Sequence, residues 1–568
     1  MSIEPIKKNH TTISIQNTLS IAFIACILIV PSISSTSIQP SYIVEREKEI
    51  LDSNMMNADY QLDNAFVYNL TYALSQIIFT AYDHENEIPK GRYFGSKGEN
   101  KAAEILAENM SAIGLFTTVE KIQPRPNIQN DDIAELIEVL EYDITINGAT
   151  IDCYPAPSWI HPNAQPKDMN TTIDFKNLEF KQLPLHPFVI DQTYAEAEND
   201  FVFIIQDQWN DPNWSLPIVG LTKPFLDPLK SYMLFHTTSL LRIMYQTQFF
   251  VKNYPKCKGY VLYDFNDHCY DMIYFGGSFK NYLPTIFING SIGKPIWKHP
   301  EEYTMGIHLK QQYNTSVESY NVIGQINGTD PSKTIIVSSL YDCWWNQGTA
   351  DSAIGMAIVV GIAKYFIDHN ITPTYTMKFI AFSGEETEFR GSDYYEALHT
   401  DEEILYVVDL NQLGFTQNEP RLTFDIVANK LGFLNDIYEI ALKTNYVKRT
   451  SDGTDITKIW MHGIPSNPLS FTLNRPNCKC VSFFKDGGWI LHHRNGQNYT
   501  EGDVFKYYNK TDVAITGELI LNVTKFIATD QPIEDGQRVS ITSNWFIEKG
   551  RNKVFKNLLP SKFMSEPI

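Results

Sequence analysis

No run of lysine and arginine long enough to hold a phosphate backbone occurs in this sequence, and a formal charge of −20 opposes such binding. Nucleic acid is excluded as a partner on that ground. No C-x-x-C pair is present, so the usual cysteine signature of a zinc site is missing. No internal repeat divides the chain. The longest apolar run near the start, Leu19 to Val30, falls short of the ~20 residues a bilayer-spanning helix needs. No clear A-x-A cleavage site follows it, which leaves a cleaved signal and a retained N-terminal anchor both open.

What is present describes a folded, multidomain chain. At 568 residues it exceeds the size at which one hydrophobic core keeps growing. Apolar residues make up 43% and charged residues 20%, so large-scale disorder is not expected. Aromatics reach 13%, which points to large flat contacts in cores or clefts. Lys7 and Lys8, the apolar run, Pro31 and a Ser/Thr string make residues 1–40 read as an export signal or membrane tether. Eleven N-x-Ser/Thr triplets downstream, from Asn69 to Asn522, agree with an extracellular or cell-surface location. Beyond Cys26, six cysteines remain, and an oxidising compartment permits disulfides among them. The strand-and-turn character between Cys257 and Cys269 makes that pair the most natural one.

Along the chain, residues 41–118 read as helical, with apolar spacing from Ala65 to Ala81 and a second helix from Glu99 to Ile113. Residues 119–318 change to short β-type runs such as FVFII, GYVLYDF and LPTIFING between Pro-rich loops, and read as an inserted β-rich domain. Residues 319–530 alternate strands (NVIGQI, TIIVSSL, MKFIAFS, ILYVVDL, LTFDIVA, PLSFT) with helices, which predicts an α/β fold, a mostly parallel sheet flanked by helices. Residues 531–568 form a tail without a strong period.

In such sheets, ligands collect where strands end and the chain turns into helices. Glu385 and Glu386 directly follow the strand MKFIAFSG, so adjacent carboxylates project from the rim. Asp351 precedes a helix beginning near Gly355, and His492 and His493 close the apolar run WIL. Each alone reads as an ordinary turn, cap or surface residue. Their order is what carries information.

GRYFGSKGENKAAEILAENMSAIGL, SYNVIGQINGTDPSKTIIVSSLYD, GTADSAIG, FIAFSGEETEFRGSDYY and SDGTDITKIWMHGIPS follow one another as the motifs of metallopeptidase family 28 (clan MH) do. The chain resembles that family, which includes zinc aminopeptidases, glutamate carboxypeptidase, the transferrin receptor and glutaminyl cyclases, over roughly residues 65 to 528. The resemblance implies a zinc aminopeptidase-like fold and makes the β-rich insertion protease-associated-like. It also assigns roles: Glu385 as general base, and Asp351, Glu386 and His492 (alternatively His493) as ligands of one metal. Two positions depart from the pattern. Leu340 stands where a ligand histidine is expected, and Asn411 where an aspartate is, with Asp409 two residues earlier as a compensating carboxylate. Both departures fall on the same one of the family's two metals. One metal position is therefore expected to survive, held by three protein ligands with an open place for water, as in a catalytic zinc. The oxygen-rich set also suits manganese or cobalt. The activity implied is that of a metallo-exopeptidase, an aminopeptidase first, acting on peptides. The alternatives are a catalytically inactive binding protein of the transferrin receptor kind and a single-zinc cyclase like the glutaminyl cyclases.

Overall fold

The structure, a computed structural model, describes residues 60–83, 89–123, 136–155, 171–182, 192–206, 215–216, 221–222, 253–264, 267–271, 283–314, 317–387, 389–414, 424–443, 456–460, 462–464, 466–484, 493–496 and 499–529. The N-terminal segment, the C-terminal tail and His492 lie outside the described residues. The chain divides into two compact units. Among the described residues of the smaller unit there is only a short antiparallel pairing of Ser215–Leu216 with Leu221–Thr222. Everything below concerns the larger unit.

An eight-stranded sheet forms the centre of the α/β part. Its strands follow the order Phe116–Lys121, Tyr320–Ile326, Tyr375–Phe382, Asp330–Leu340, Glu403–Leu410, Lys479–Phe484, Phe424–Ala428 and Ile456–Trp460. The four middle strands, from Tyr375–Phe382 to Lys479–Phe484, run parallel. On one flank Tyr320–Ile326 pairs antiparallel with both Tyr375–Phe382 and Phe116–Lys121, and on the other Phe424–Ala428 reverses against Lys479–Phe484. The expected mostly parallel sheet is therefore a mixed sheet with a parallel middle.

Strand alternation sorts the apolar residues to two faces. Ile335, Val337, Met377 and Phe379 join the larger core beneath the helices Asn64–Ser75, Ile354–Asp368 and Lys510–Thr529, while Ile336, Ile380 and Phe382 pack with Tyr395 and Phe471 on the other side. Ile354–Asp368 is apolar on nearly every side because sheet and helices enclose it. With the helical turn before it, the span Thr349–Asp368 is the one described helical stretch long and apolar enough to cross a membrane, and it is buried in the core. Two sequence assignments change here. PLSFT is not a strand but the helix Pro468–Asn474, started by a proline at its first position. The parallel strand Lys479–Phe484, with its β-branched and aromatic residues, was not anticipated.

Between Phe116–Lys121 and Tyr320–Ile326 the chain builds a second eight-stranded sheet. Its long strands are Leu136–Ile146, Thr304–Asn314 and Thr171–Gln182, followed by Phe201–Gln206, Cys257–Tyr263 and Thr285–Ile288. Cys257 is a free, buried thiol, so the Cys257–Cys269 disulfide is not formed.

Candidate metal centre

The parallel strands end at one rim, and the candidate residues gather there. Beyond Leu340 the chain enters a loop, residues 341–348, that is tied down by Arg92. This buried guanidinium donates to the carbonyls of Leu74, Tyr341, Gln347 and Gly348. A buried cation spent on backbone acceptors fixes the loop it touches. Gly91, beside it, sits at φ +58, and a Cβ there would lie 2.6 Å from the Asn346 carbonyl oxygen. Only glycine allows that approach.

Two carboxylates outside the sequence-predicted set hold the ligand loops. Asp342 accepts from the backbone N–H groups of Glu385 and Glu386, both at 3.1 Å. Asp503 accepts from the N–H groups of Ala350 and Asp351 at 2.8 and 3.0 Å. The left-handed Gly384 (φ +65) opens the turn that delivers the two glutamates. Ser96 caps the helix by accepting from the Glu99 N–H, and the Glu99 carboxylate accepts from Ser319 and Ser383, pinning the strand end just before that turn.

In this setting Asp351, Glu386 and His493 present one ligand atom each, all within 4.8 Å of one another and buried. His493 Nε2 lies 2.9 Å from Glu386 and 3.3 Å from Asp351 Oδ2. The Trp344 indole Nε1 donates to Glu386 Oε2 at 2.7 Å. Of the two histidines offered by the sequence, His493 is thus the one the structure brings to the carboxylates.

The degenerate positions are also accounted for. Leu340 is fully buried at the end of its strand and supplies no ligand. Asn411 donates from Nδ2 to Glu385 Oε1 and to Ser466 Oγ, each at 3.0 Å. The orientation of this amide is fixed by its neighbour. Ser466 gives its single proton to Asp409 Oδ2 at 2.6 Å, so it can only accept from residue 411. Asp409 does not compensate for the missing carboxylate. Ser338, Ser466, Asn467 and Ser482 all donate to it, and it stays beneath the rim rather than joining the cluster.

The electrostatics favour a cation. Burial, then repulsion from Glu386, Asp351, Asp342 and Asp409, holds the Glu385 carboxyl well above the usual range. Burial, then repulsion from Asp351 and Asp342, does the same to Glu386. Asp342 is pushed up to about 7 by burial against its two N–H donors, and Asp503 up to about 6. So many carboxylates taken from water together are costly unless a positive charge neutralises them. Two carboxylates and an imidazole facing one point suit a divalent ion and leave a position open. A second described group, His299, Glu301 and Glu302, is fully exposed and shows no comparable organisation.

The carboxylate–imidazole cluster lies at the carboxyl ends of the parallel strands, where open α/β sheets place their ligands. Residues 321–523 match the model of peptidase family M28. Among solved structures, the chain is similar to BSAP, a zinc aminopeptidase from Bacillus subtilis, at 14% identity and a TM-score of 0.52, covering 82% of this chain and 96% of that one. A peptidase M28 precursor from Shewanella amazonensis SB2B gives 14% identity and 0.56, with 86% and 98% covered. An aminopeptidase from Aneurinibacillus sp. strain AM-1 gives 15% and 0.50, with 84% and 99% covered. No curated protein matches the chain.

Proposed function

We propose that the protein is an exported metallo-exopeptidase, an aminopeptidase by preference, with one zinc held by Asp351, Glu386 and His493 and with Glu385 as general base. The observation that carries this reading is the convergence of those three ligands beside the half-buried Glu385, while Leu340 and Asn411 supply no second set. Two of the similar structures are a zinc aminopeptidase and an aminopeptidase, which supports zinc and the cleavage of N-terminal residues. Manganese or cobalt would suit the same donors.

When bound, the metal supplies an acidified water and a polarised scissile carbonyl. The protein's own groups do the rest. Asn411 holds Glu385 through Oε1, and the Glu385 carboxylate takes the water proton and passes it to the departing amine. Asp342 holds the backbone of both glutamates, so base and ligand keep a fixed spacing. Trp344 restrains the Glu386 carboxylate through its indole N–H. The acidic rim favours a cationic substrate amine.

The β-rich insertion, residues 119–318, corresponds in this reading to a protease-associated domain between the two parts of the peptidase domain, residues 41–118 and 319–530. Residues 1–40 serve as signal or tether, and the triplets from Asn69 to Asn522 carry glycans outside the cell.

One observation favours a second reading, a binding protein without turnover: an apolar residue and an amide replace ligands at Leu340 and Asn411. Glu385→Gln separates the two. We expect it to lower the rate on aminoacyl substrates by about 10²–10⁴-fold while zinc content is retained. An unchanged rate removes Glu385 from the mechanism, and no turnover in either protein favours the binding module.

A further inference from the structure

His493 is placed differently from the other two members of the cluster. Asp351 and Glu386 follow strands of the central sheet, Asp330–Leu340 and Tyr375–Phe382. The residues after His493, Arg494–Gly496, join no strand of that sheet. They pair antiparallel with Cys269–Asp271, which belongs to the inserted segment, in the register Cys269 with Gly496 and Asp271 with Arg494. Two residues of that pairing stretch reach further. The Arg494 Nε donates to Asp264 Oδ2 at 2.6 Å, with side chains 2% and 0% exposed. Asp264 directly follows the insert strand Cys257–Tyr263, and its N–H is bound by the Ile288 carbonyl. Asn495 Nδ2 donates to the Trp345 carbonyl at 2.9 Å.

From Arg494 the connection runs on to the metal ligands. Its carbonyl accepts from the Asp503 N–H at 3.0 Å, and Asp503 in turn accepts from Ala350 and Asp351. His493 itself has φ +54, a backbone conformation that residues with a Cβ seldom adopt. A residue stays in such a conformation when its surroundings over-determine it. Here the neighbour that does so is clamped by a carboxylate of the insert.

We propose that Asp264 of the inserted segment is a positioning residue for the metal centre: by fixing Arg494, it holds His493 against Asp351 and Glu386. This rests on the metal-site reading above for its functional meaning, and on the ion pair and strand pairing for its structural one. The insert is then a component of the site and not an appendage.

The test uses the full chain carrying Asp264→Asn, which keeps side-chain shape and removes the charge. Two quantities are read: hydrogen exchange in metal-free protein, by peptides covering 493–503, and the dissociation constant for zinc. Exchange there is expected to quicken at least about tenfold while peptides from Asp330–Leu340 keep their protection. Zinc is expected to bind on the order of ten- to a hundredfold more weakly, as when an outer-shell partner of a ligand is lost. Should the buried Arg494 charge, no longer matched by Asp264, prevent folding, Asp264→Asn with Arg494→Gln removes both charges, and the same changes are expected. Unchanged exchange at 493–503 overturns the proposal, as does a loosening spread evenly over both sheets, since that marks general support only. Absence of zinc binding in the unaltered protein overturns the metal-site reading, and the exchange measurement then still decides whether Asp264 holds this segment.

Discussion

Asn411→Asp would restore the residue the family pattern expects, and the structure predicts that in this chain it damages the protein. The amide now gives one N–H to Glu385 and one to Ser466. Losing the first, a bond to a charged acceptor, costs about 1.5–3 kcal/mol, and the second about 0.5–1.5 kcal/mol. A carboxylate in the same place sits near 3.0 Å from the Glu385 oxygen. At an effective dielectric of about 20 the repulsion is about 5.5 kcal/mol, an upper bound because the pair can escape by binding a proton. Part of the loss to Ser466 is recoverable, since Asp409 keeps three other donors if that hydroxyl turns. A net destabilisation of about 3–5 kcal/mol at pH 8 follows in metal-free protein. The pair's proton is bound more tightly in the folded state than in the unfolded one, so its pKa is raised on folding. The lost stability therefore returns as the pH falls and is lost again as it rises through that pKa. Urea unfolding in chelator at pH 5 and pH 8 measures this. Equal midpoints for the variant and the unaltered protein at pH 8, or a variant that weakens further on acidification, would refute the hydrogen-bond assignment at Asn411.

Two further outcomes are expected. Burial raises the Asp409 carboxyl from 3.8 to about 6 despite its four donors, so the stability it contributes is present at low pH and lost as pH climbs through that value. At about 1.36 kcal/mol per unit this is about 3 kcal/mol, and Asp409→Asn should gain that much relative to the unaltered protein between pH 3.5 and 7. A pH-independent difference in unfolding free energy would contradict it. Trp344→Phe keeps the ring packed near Tyr93 and His493 but removes the donor to Glu386. Zinc affinity by calorimetry should drop about tenfold, and an unchanged affinity would show that the indole N–H does not restrain the ligand.

The sequence made some parts of this protein legible and hid others for physical reasons. Strong periodicity made Ile354–Asp368 and the strand before Glu385 readable, and their junctions placed Asp351, Glu385 and Glu386 at a sheet rim. The Pro468–Asn474 helix was read as a strand because PLSFT is too short to show a helical period. The antiparallel flanks of the sheet depend on where Phe116–Lys121 and Phe424–Ala428 insert, which no local pattern records. Asp342, Asp503, Asp264 and Arg494 were missed for a related reason: each is a single polar residue whose partner lies far away in sequence. For Asp342 a hint existed, since it stands two residues past Leu340, just beyond the end of that strand. The histidine register was undecided because His492 and His493 are adjacent; the strand pairing of Arg494–Gly496 with the insert puts His493 in the cluster.

The central claim is a single metal site built from Asp351, Glu386 and His493, and its most direct measurement is metal content. Protein purified without chelator and equilibrated with zinc is analysed for bound metal beside the Glu386→Ala variant. About one zinc per chain, absent from the variant, is the result this account predicts. Zinc retained in full by Glu386→Ala, or bound by neither protein, would contradict it.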